Sequence, residues 1–421
     1  MRKLTKTLST FKTFVQSELL SIVSISIHRL GWYPPFFDRF LSVSDFKVPA
    51  GGFSSVSDVE LRVSYYLDCL SKVSDSDNID LIKEVNAGLS LGAPSELPRI
   101  AFLTSGPSTT LTNTVMRNIR ESYNSTFTIN INQEDLDFAN SELSSIDLCE
   151  KLIVDFTPNV IFFELHTPLN SVAENTIFSR KFVQEIKERT GAKVFILCFD
   201  IWREFDVRYI EYWHGISDQY LHFDEISASS LVDRFPMQTW LYPALNHTTF
   251  VPGAIKSGIF FQGSIREFDR RRWLVFAAKL SRKYEITSKF RTFPHHNSRN
   301  VPLEENYIRS MNQAKYCLGL GQKAKNFWLV TFRSIEAISA GTILFQQTGP
   351  SEDPLSFFYK PFLHYLPFSS KLDLEAILFI CRFHSVEIDK IQSRSFQYHQ
   401  AVYGDAILWK RLIGLTLQQE E

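Results

Sequence analysis

Arg99-Ile100-Ala101-Phe102-Leu103-Thr104, Asn159-Val160-Ile161-Phe162-Phe163-Glu164 and Lys193-Val194-Phe195-Ile196-Leu197-Cys198-Phe199 are short runs, apolar at nearly every position. Helical stretches of ten or more residues separate them, near 108–122, 145–156 and 174–190. A strand that is apolar on both faces has to be covered on both faces, which is the pattern of a parallel sheet with helices on either side. Thr126–Ile131, Gln219–Phe223 and Thr239–Tyr242 are further strand candidates in this half.

After Tyr242-Pro243-Ala244-Leu245-Asn246-His247 the alternation restarts. Gly258–Gln262 is the next strand, with Gly263-Ser264 as its turn and a helix near 268–283. Strands are predicted at 286–291, 315–320, 342–346 and 362–366, and helices at 303–313, 330–340 and 371–383. The tail from 385 to 418 also reads as helical. The first 95 residues differ. Phe11, Val15, Leu19, Ile22, Val23, Ile27 and Leu30 follow a 3.6-residue spacing, Tyr33-Pro34-Pro35 stops that helix, and helical stretches follow near 57–72 and 78–89. The expected organisation is a helical extension (1–95), a first Rossmann-like unit (96–245), a second (246–385) and a helical tail (386–421). The extension reads as a cap on the unit that follows it, or as a membrane-surface helix flanked by Lys3, Lys6, Lys12 and Arg29.

The composition narrows the function. The 421 residues carry 45 Lys+Arg and 46 Asp+Glu, a net charge of −1, so no overall field draws nucleic acid. At 44% hydrophobic and 22% charged residues the chain is a folded globular protein. Phe is abundant at 37 residues, and Gly is scarce at 17. Cys69, Cys149, Cys198, Cys317 and Cys381 are far apart and sit in or beside apolar runs, as free buried thiols do. This favours a reducing compartment and argues against a zinc site or a disulfide framework. No run reaches the ~18 apolar residues of a membrane span, and Gln16, Glu18 and several serines interrupt the N-terminal apolar stretch. A cytoplasmic protein is expected, with membrane-peripheral contact through the N-terminal helix as the one route to a lipid surface.

In doubly wound sheets ligands bind outside the carboxyl ends of the strands. Three stretches qualify. Thr104-Ser105-Gly106-Pro107 is a strand-to-helix turn, neither GxGxxG nor a P-loop, and also reads as a plain tight turn. At Gln262-Gly263-Ser264-Ile265-Arg266, Gly263 lets the backbone approach a ligand, the next helix offers free amides to an anion, and Arg266 or Arg270 adds charge. The alternative is that these arginines form a solvated helix face. In Phe332-Arg333-Ser334-Ile335-Glu336-Ala337-Ile338-Ser339-Ala340-Gly341-Thr342, Arg333 and Glu336 share one helix face. An Arg at the positive end of its own helix is unfavourable unless an anion is there, and a carboxylate one turn later can accept from sugar hydroxyls. The alternative is an intrahelical Arg–Glu pair worth ~0.2–0.5 kcal/mol.

A strand ending in Phe-Gln-Gly-Ser, an arginine-bearing helix, the turn Leu320-Gly321-Gln322-Lys323 and then Arg-x-x-Glu-Ala-x-x-Ala-Gly-Thr resemble the donor domain of GT-B glycosyltransferases. The pattern is most similar to the CgeB-like, family 1-like group, and Tyr242-Pro243-Ala244 resembles its interdomain linker. The resemblance spans roughly 98–385. It implies two Rossmann-like domains facing across a cleft, a nucleotide-sugar donor on the second and an acceptor on the first. It implies donor-binding roles for Gly263, Ser264, Arg270, Lys323, Arg333, Glu336 and Gly341. Ser264 and Arg270 would meet phosphate, Arg333 the diphosphate, and Glu336 the ribose or sugar. Ser105 and Gly106 would form an acceptor-side loop. Many retaining members carry Glu-x7-Glu; here the first position is Trp328, which leaves retention or inversion open.

The implied chemistry is transfer of a sugar to a glycan, lipid-linked or protein acceptor, with a place in polysaccharide biosynthesis. The growing charge on the departing diphosphate is met by Arg, Lys and helix amides, so neither metal nor cofactor is expected. An inverting enzyme also needs a base from the first unit. His166 and Asp200 are the candidates chosen, with Glu164 and His214 beside them. Tyr212, Trp213 and Trp202 could stack on a sugar, but core packing is their default reading. The rivals are a nucleotide-sugar epimerase on the same fold and a GT-B-like module that binds nucleotide or sugar without turnover.

Overall fold

The structure is a computed structural model. It describes residues 55–88, 98–104, 128–132, 145–165, 179–198, 212–222, 238–240, 252, 256–264, 268–293, 301–324, 327–328, 330–349 and 353–404. Two all-parallel sheets organise them. The first holds β1 (Ile100–Thr104), β2 (Thr128–Asn132), β3 (Val160–Leu165), β4 (Lys193–Cys198), β5 (Gln219–His222) and β6 (Gln238–Trp240), in the order β2-β1-β3-β4-β5-β6. The second holds β7 (Ser257–Ser264), β8 (Ser288–Phe293), β9 (Ala314–Gly319), β12 (Ile343–Gln347) and β13 (Leu366–Phe368), in the order β8-β7-β9-β12-β13. Counted from its own first strand, the first sheet runs 2-1-3-4-5-6 and the second 2-1-3-4-5. The expected α/β class with two doubly wound units is therefore what the chain forms.

The apolar runs explain both sheets. In the first, Ala101, Leu103, Ile161, Phe163, Val194 and Ile196 face a core shared with Cys149 and Ile153 of α3 (Ser145–Phe156) and Phe182, Val183 and Ile186 of α4 (Arg180–Thr190). The alternate residues Phe102, Phe162 and Phe195 lie in register across β1, β3 and β4. Their rings are 5.4 and 5.1 Å apart. Part of the phenylalanine excess is thus an aromatic ladder on the second face of this sheet.

In the second sheet Ile259, Phe261, Tyr316, Leu318, Ile343 and Phe345 face α5 (Phe268–Lys283) and α8 (Lys371–Phe383). Phe260, Cys317 and Leu344 face α6 (Val301–Gln313), α7 (Phe332–Ser339) and α9 (Ser385–Tyr403). Three details differ from the sequence reading. β7 continues through Gly263 and Ser264, which are not its turn. The last strand begins at Leu366 because Phe362 adopts φ 64° in a turn closed by Phe362 N–H donating to Tyr365 O. A hairpin of β10 (Gln322–Ala324) and β11 (Phe327–Trp328) follows β9. Helix α9, placed in the tail by the sequence reading, packs against α7, α8 and β12 of the second unit.

The N-terminal extension corrects a larger expectation. Helices α1 (Val56–Ser71) and α2 (Asp75–Gly88) pack on α8 and α9, so the cap belongs to the second unit and not to the one that follows it in sequence. Val59, Val63, Tyr66 and Leu70 form the buried stripe of α1 and join the core of the second sheet. Polar contacts fix the register. Arg62 pairs with Asp373, Tyr66 OH donates to Pro367 O at 2.5 Å, and Arg394 pairs with Asp75 at 2.6 Å. The amphipathic segment 11–30 and its membrane-surface reading lie outside the described residues.

His364 is fully buried in this cap. Its Nδ1 accepts from Lys360 N–H at 3.1 Å, so Nε2 carries the proton and donates to Asn78 Oδ1 of α2 at 2.9 Å. Burial, helped by Lys360 and Arg394, lowers its pKa from 6.5 to about 3. Below pH 6.5 the unfolded chain takes up a proton that the folded state refuses. Stability attributable to His364 therefore falls with pH, by about 2 kcal/mol between pH 7 and pH 5. Urea unfolding at the two pH values should show this decline, and His364→Gln should flatten it. An equal slope in both proteins would contradict the assignment.

Candidate functional site

The sheet order places a switch point in the second unit between β7 and β9, whose connections leave in opposite directions. Two helices send a guanidinium group there. From the first turn of α7, Arg333 Nε donates to Gln262 O near the carboxyl end of β7 at 2.7 Å. Its Cζ lies 4.2 Å from the centroid of the Phe261 ring. From the first turn of α5, buried Arg270 reaches the backbone at the carboxyl end of β9, where its Nη2 donates to Leu320 O at 3.5 Å. The cations thus mark the ends of the two strands that flank the crevice.

Gly263 makes the approach possible. A Cβ there would collide with the Arg333 guanidinium, so the residue serves close packing inside the strand. Gly319, at the end of β9, is matched in the same way to the side-chain oxygen of Gln346. That oxygen accepts from Ser334 Oγ of α7 at 2.6 Å. The amino end of α7 is thereby fixed to the carboxyl ends of β9 and β12. Its N-cap, Thr331, makes no side-chain capping bond, so the helix presents amides uncapped by a side chain to the crevice.

Two polar atoms of the crevice stand apart from the hydrogen-bond network of the described residues. Buried Arg333 Nη1 and Gln262 Oε1 find no partner among the described residues. A buried donor and acceptor left this way cost free energy unless a ligand or water engages them. Glu336 is half-buried one turn along α7, and the Tyr307 hydroxyl of α6 donates to its Oε2. Burial first, and then the Glu336 carboxylate, hold the Tyr307 phenol well above its ordinary pKa, so it stays a donor. Tyr307 was not singled out from the sequence. It lies 29 residues from Glu336, and no spacing rule links the two.

Gly341 does not belong to this crevice. It follows the carboxyl end of α7, at the opposite edge of the sheet, with φ 61°. Gly341 N–H donates to Ile338 O at 2.9 Å and Thr342 N–H to Ala337 O at 2.8 Å. This is a Schellman cap, in which a left-handed residue satisfies the last carbonyls of the helix. The residue is buried against Pro252 and Phe396, so its need for glycine is structural.

Ser264 is the last residue of β7 and Lys323 the middle residue of β10; their side chains are outside the described set. In the first unit Ser105, Gly106, His166 and Asp200 also lie outside the described residues, as do Arg266, Trp202 and the pair His295-His296. His214 is described and sits away from the carboxyl edge. Its turn precedes β5, and the adjoining Asp218 N–H bonds to Val194 O near the start of β4. Trp213 is buried with its ring 4.8 Å from Phe163, in the core.

Two Asp-x-Asp triplets bear on the expectation of metal-free chemistry. In Asp75-Ser76-Asp77 the carboxylates bond to Arg394 and Ser74, anchoring α2; Asp135-Leu136-Asp137 lies outside the described residues. Among the described residues no three His, Cys, Asp or Glu side chains gather into a metal-binding group. No helix among them is long and apolar enough to cross a membrane.

No protein-family model matches the sequence, and no curated protein matches it significantly. Solved structures do match. An α-glucosyltransferase in complex with UDP-glucose and DNA containing an abasic site is similar over 76% of this chain and all of its own, at 10% identity and a TM-score of 0.51. The same type of enzyme with UDP and a 13-mer DNA gives 11% identity, 77% and 100% coverage and a TM-score of 0.50. HepE of Anabaena in complex with UDP-glucose gives 10% identity, 76% and 99% coverage and a TM-score of 0.49. At these identities the likeness to the two α-glucosyltransferase structures establishes the fold alone, which is the two-sheet GT-B architecture.

Proposed function

We propose that the protein is a glycosyltransferase that takes a sugar from a nucleoside diphosphate donor bound by its second unit. The observation that carries this reading is the placement of Arg333 at the carboxyl end of β7 and of Arg270 at the carboxyl end of the neighbouring β9. A buried Arg270 and a half-buried Arg333, whose Nη1 has no partner among the described residues, are suited to a diphosphate, and they need no reorganisation when negative charge grows on the leaving group. Glu336 is suited to hydroxyls, and in this reading it takes the ribose. Uridine is the base proposed, because structures that share the fold hold UDP or UDP-glucose.

His166 and Asp200 remain the proposed base candidates of the first unit, Ser264 remains a proposed phosphate contact, and Lys323 a proposed donor-binding residue. The transfer is proposed to be metal-independent, with Arg333, Arg270 and the α7 amides meeting the diphosphate. The proposed acceptor is a glycan, a lipid-linked sugar or a protein. A similar structure contains DNA, but a net charge of −1 gives this chain no general attraction for a polyanion. One observation favours a second reading, a nucleotide-binding module without turnover: Trp328, in the short strand β11, stands where the first carboxylate of Glu-x7-Glu would be.

Titration calorimetry of the full chain with UDP, GDP, ADP and CMP tests donor binding, with UDP expected to bind most tightly. Sugar release or transfer from the matching nucleotide sugar separates enzyme from binder. Failure of all four nucleotides to bind would overturn both readings.

A further inference from the structure

Glu336 is held from behind. In βαβ units the helix after each strand starts at the carboxyl edge of the sheet, so α6 and α7 both have their amino ends beside the crevice. Helical side chains lean towards the amino end of their own helix. Tyr307 on α6 and Glu336 on α7 therefore lean the same way and meet, with the phenol donating to Oε2. The Tyr307 ring also sits 5.9 Å from Phe260 of β7, on the sheet face that α6 and α7 cover. The strand that bonds Arg333 through the Gln262 carbonyl thus also backs the tyrosine that bonds Glu336.

We propose that Tyr307 is a positioning residue for nucleotide recognition, holding the Glu336 carboxylate so that it can accept from the ribose hydroxyls. The inference rests on the nucleotide reading of this site. An ionised carboxylate has about four acceptor positions, and the bond from Tyr307 takes one of them and orients the carboxylate plane. Burial keeps the phenol protonated, and its donor role persists across the working pH range.

The test compares UDP with 2′,3′-dideoxy-UDP, which lacks both ribose hydroxyls, on the full chain. The wild-type protein is expected to prefer UDP. In Tyr307→Phe the affinity for UDP should fall roughly 2- to 10-fold, the range of one neutral hydrogen bond, because the ligand feels the lost bond only through Glu336. Affinity for the dideoxy nucleotide should stay nearly constant, so the preference shrinks. A general loss of packing would weaken both nucleotides alike. Phe keeps the ring against Phe260, and a thermal melt checks the fold. Glu336→Gln, which keeps the shape but not the charge, is the companion variant and should lose the same preference.

A wild-type preference kept intact in Tyr307→Phe overturns the inference and leaves the nucleotide site standing. So does an equal loss for both nucleotides. If Tyr307→Phe does not fold, a full preference in Glu336→Gln overturns it instead. A wild-type protein that binds neither nucleotide overturns the site itself, and this inference with it.

Discussion

Arg333→Ala is expected to weaken UDP binding about 10- to 150-fold, the equivalent of the ~1.5–3 kcal/mol of a charge-assisted hydrogen bond. The fold should survive. The side chain crosses from α7 to one backbone carbonyl and one aromatic face, and neither contact spans a core layer. Removing it leaves the Gln262 carbonyl short of one partner, a modest cost beside the loss of the cation from the crevice. Melting temperature and UDP affinity should therefore separate. A variant that melts like the wild type and binds UDP as well as the wild type would remove Arg333 from the site. Arg333→Lys is expected to recover little, because a lysine is a point charge and cannot both bond the carbonyl and offer a second planar donor.

Gly263→Ala should produce nearly the same loss without touching a charged group. The added methyl occupies the place of the Arg333 guanidinium, and the far end of that side chain is what can move. Overpacking of this kind costs roughly 1–3 kcal/mol where nothing yields. Here the arginine yields, so the expected result is a small loss of stability and a large loss of affinity, measured by melting and by calorimetry. The double variant with Arg333→Ala should be no worse than Arg333→Ala alone, because both act on one group. Additive losses would mean that Gly263 and Arg333 serve the ligand separately.

Much of the architecture was legible because the central strands are apolar on both faces. Val160–Leu165 and Ile343–Gln347 admit few other readings. The N-terminal cap was half legible. The stripe Val59, Val63, Tyr66 and Leu70 announces a partner, but an apolar stripe does not say which sheet it meets. The hairpin Gln322–Ala324 with Phe327–Trp328 is too short to show any period.

The site divided in the same way. Arg333 was readable because a cation at the start of a helix is a local anomaly. Gly263 and Gly341 looked equivalent in sequence, yet one is needed inside a strand for close approach and the other after a helix for its left-handed φ. Only the direction of the chain relative to the sheet separates them. The contact between Tyr307 and Glu336 joins two helices across a strand, and no local pattern encodes it.

A crystal structure of the full chain with UDP measures the central claim most directly. The diphosphate should lie at the amino end of α7, with a phosphate oxygen accepting from Arg333 at roughly 2.7–2.9 Å. UDP bound away from the carboxyl ends of β7 and β9, with Arg333 still engaged only by the Gln262 carbonyl and the Phe261 ring, would contradict it.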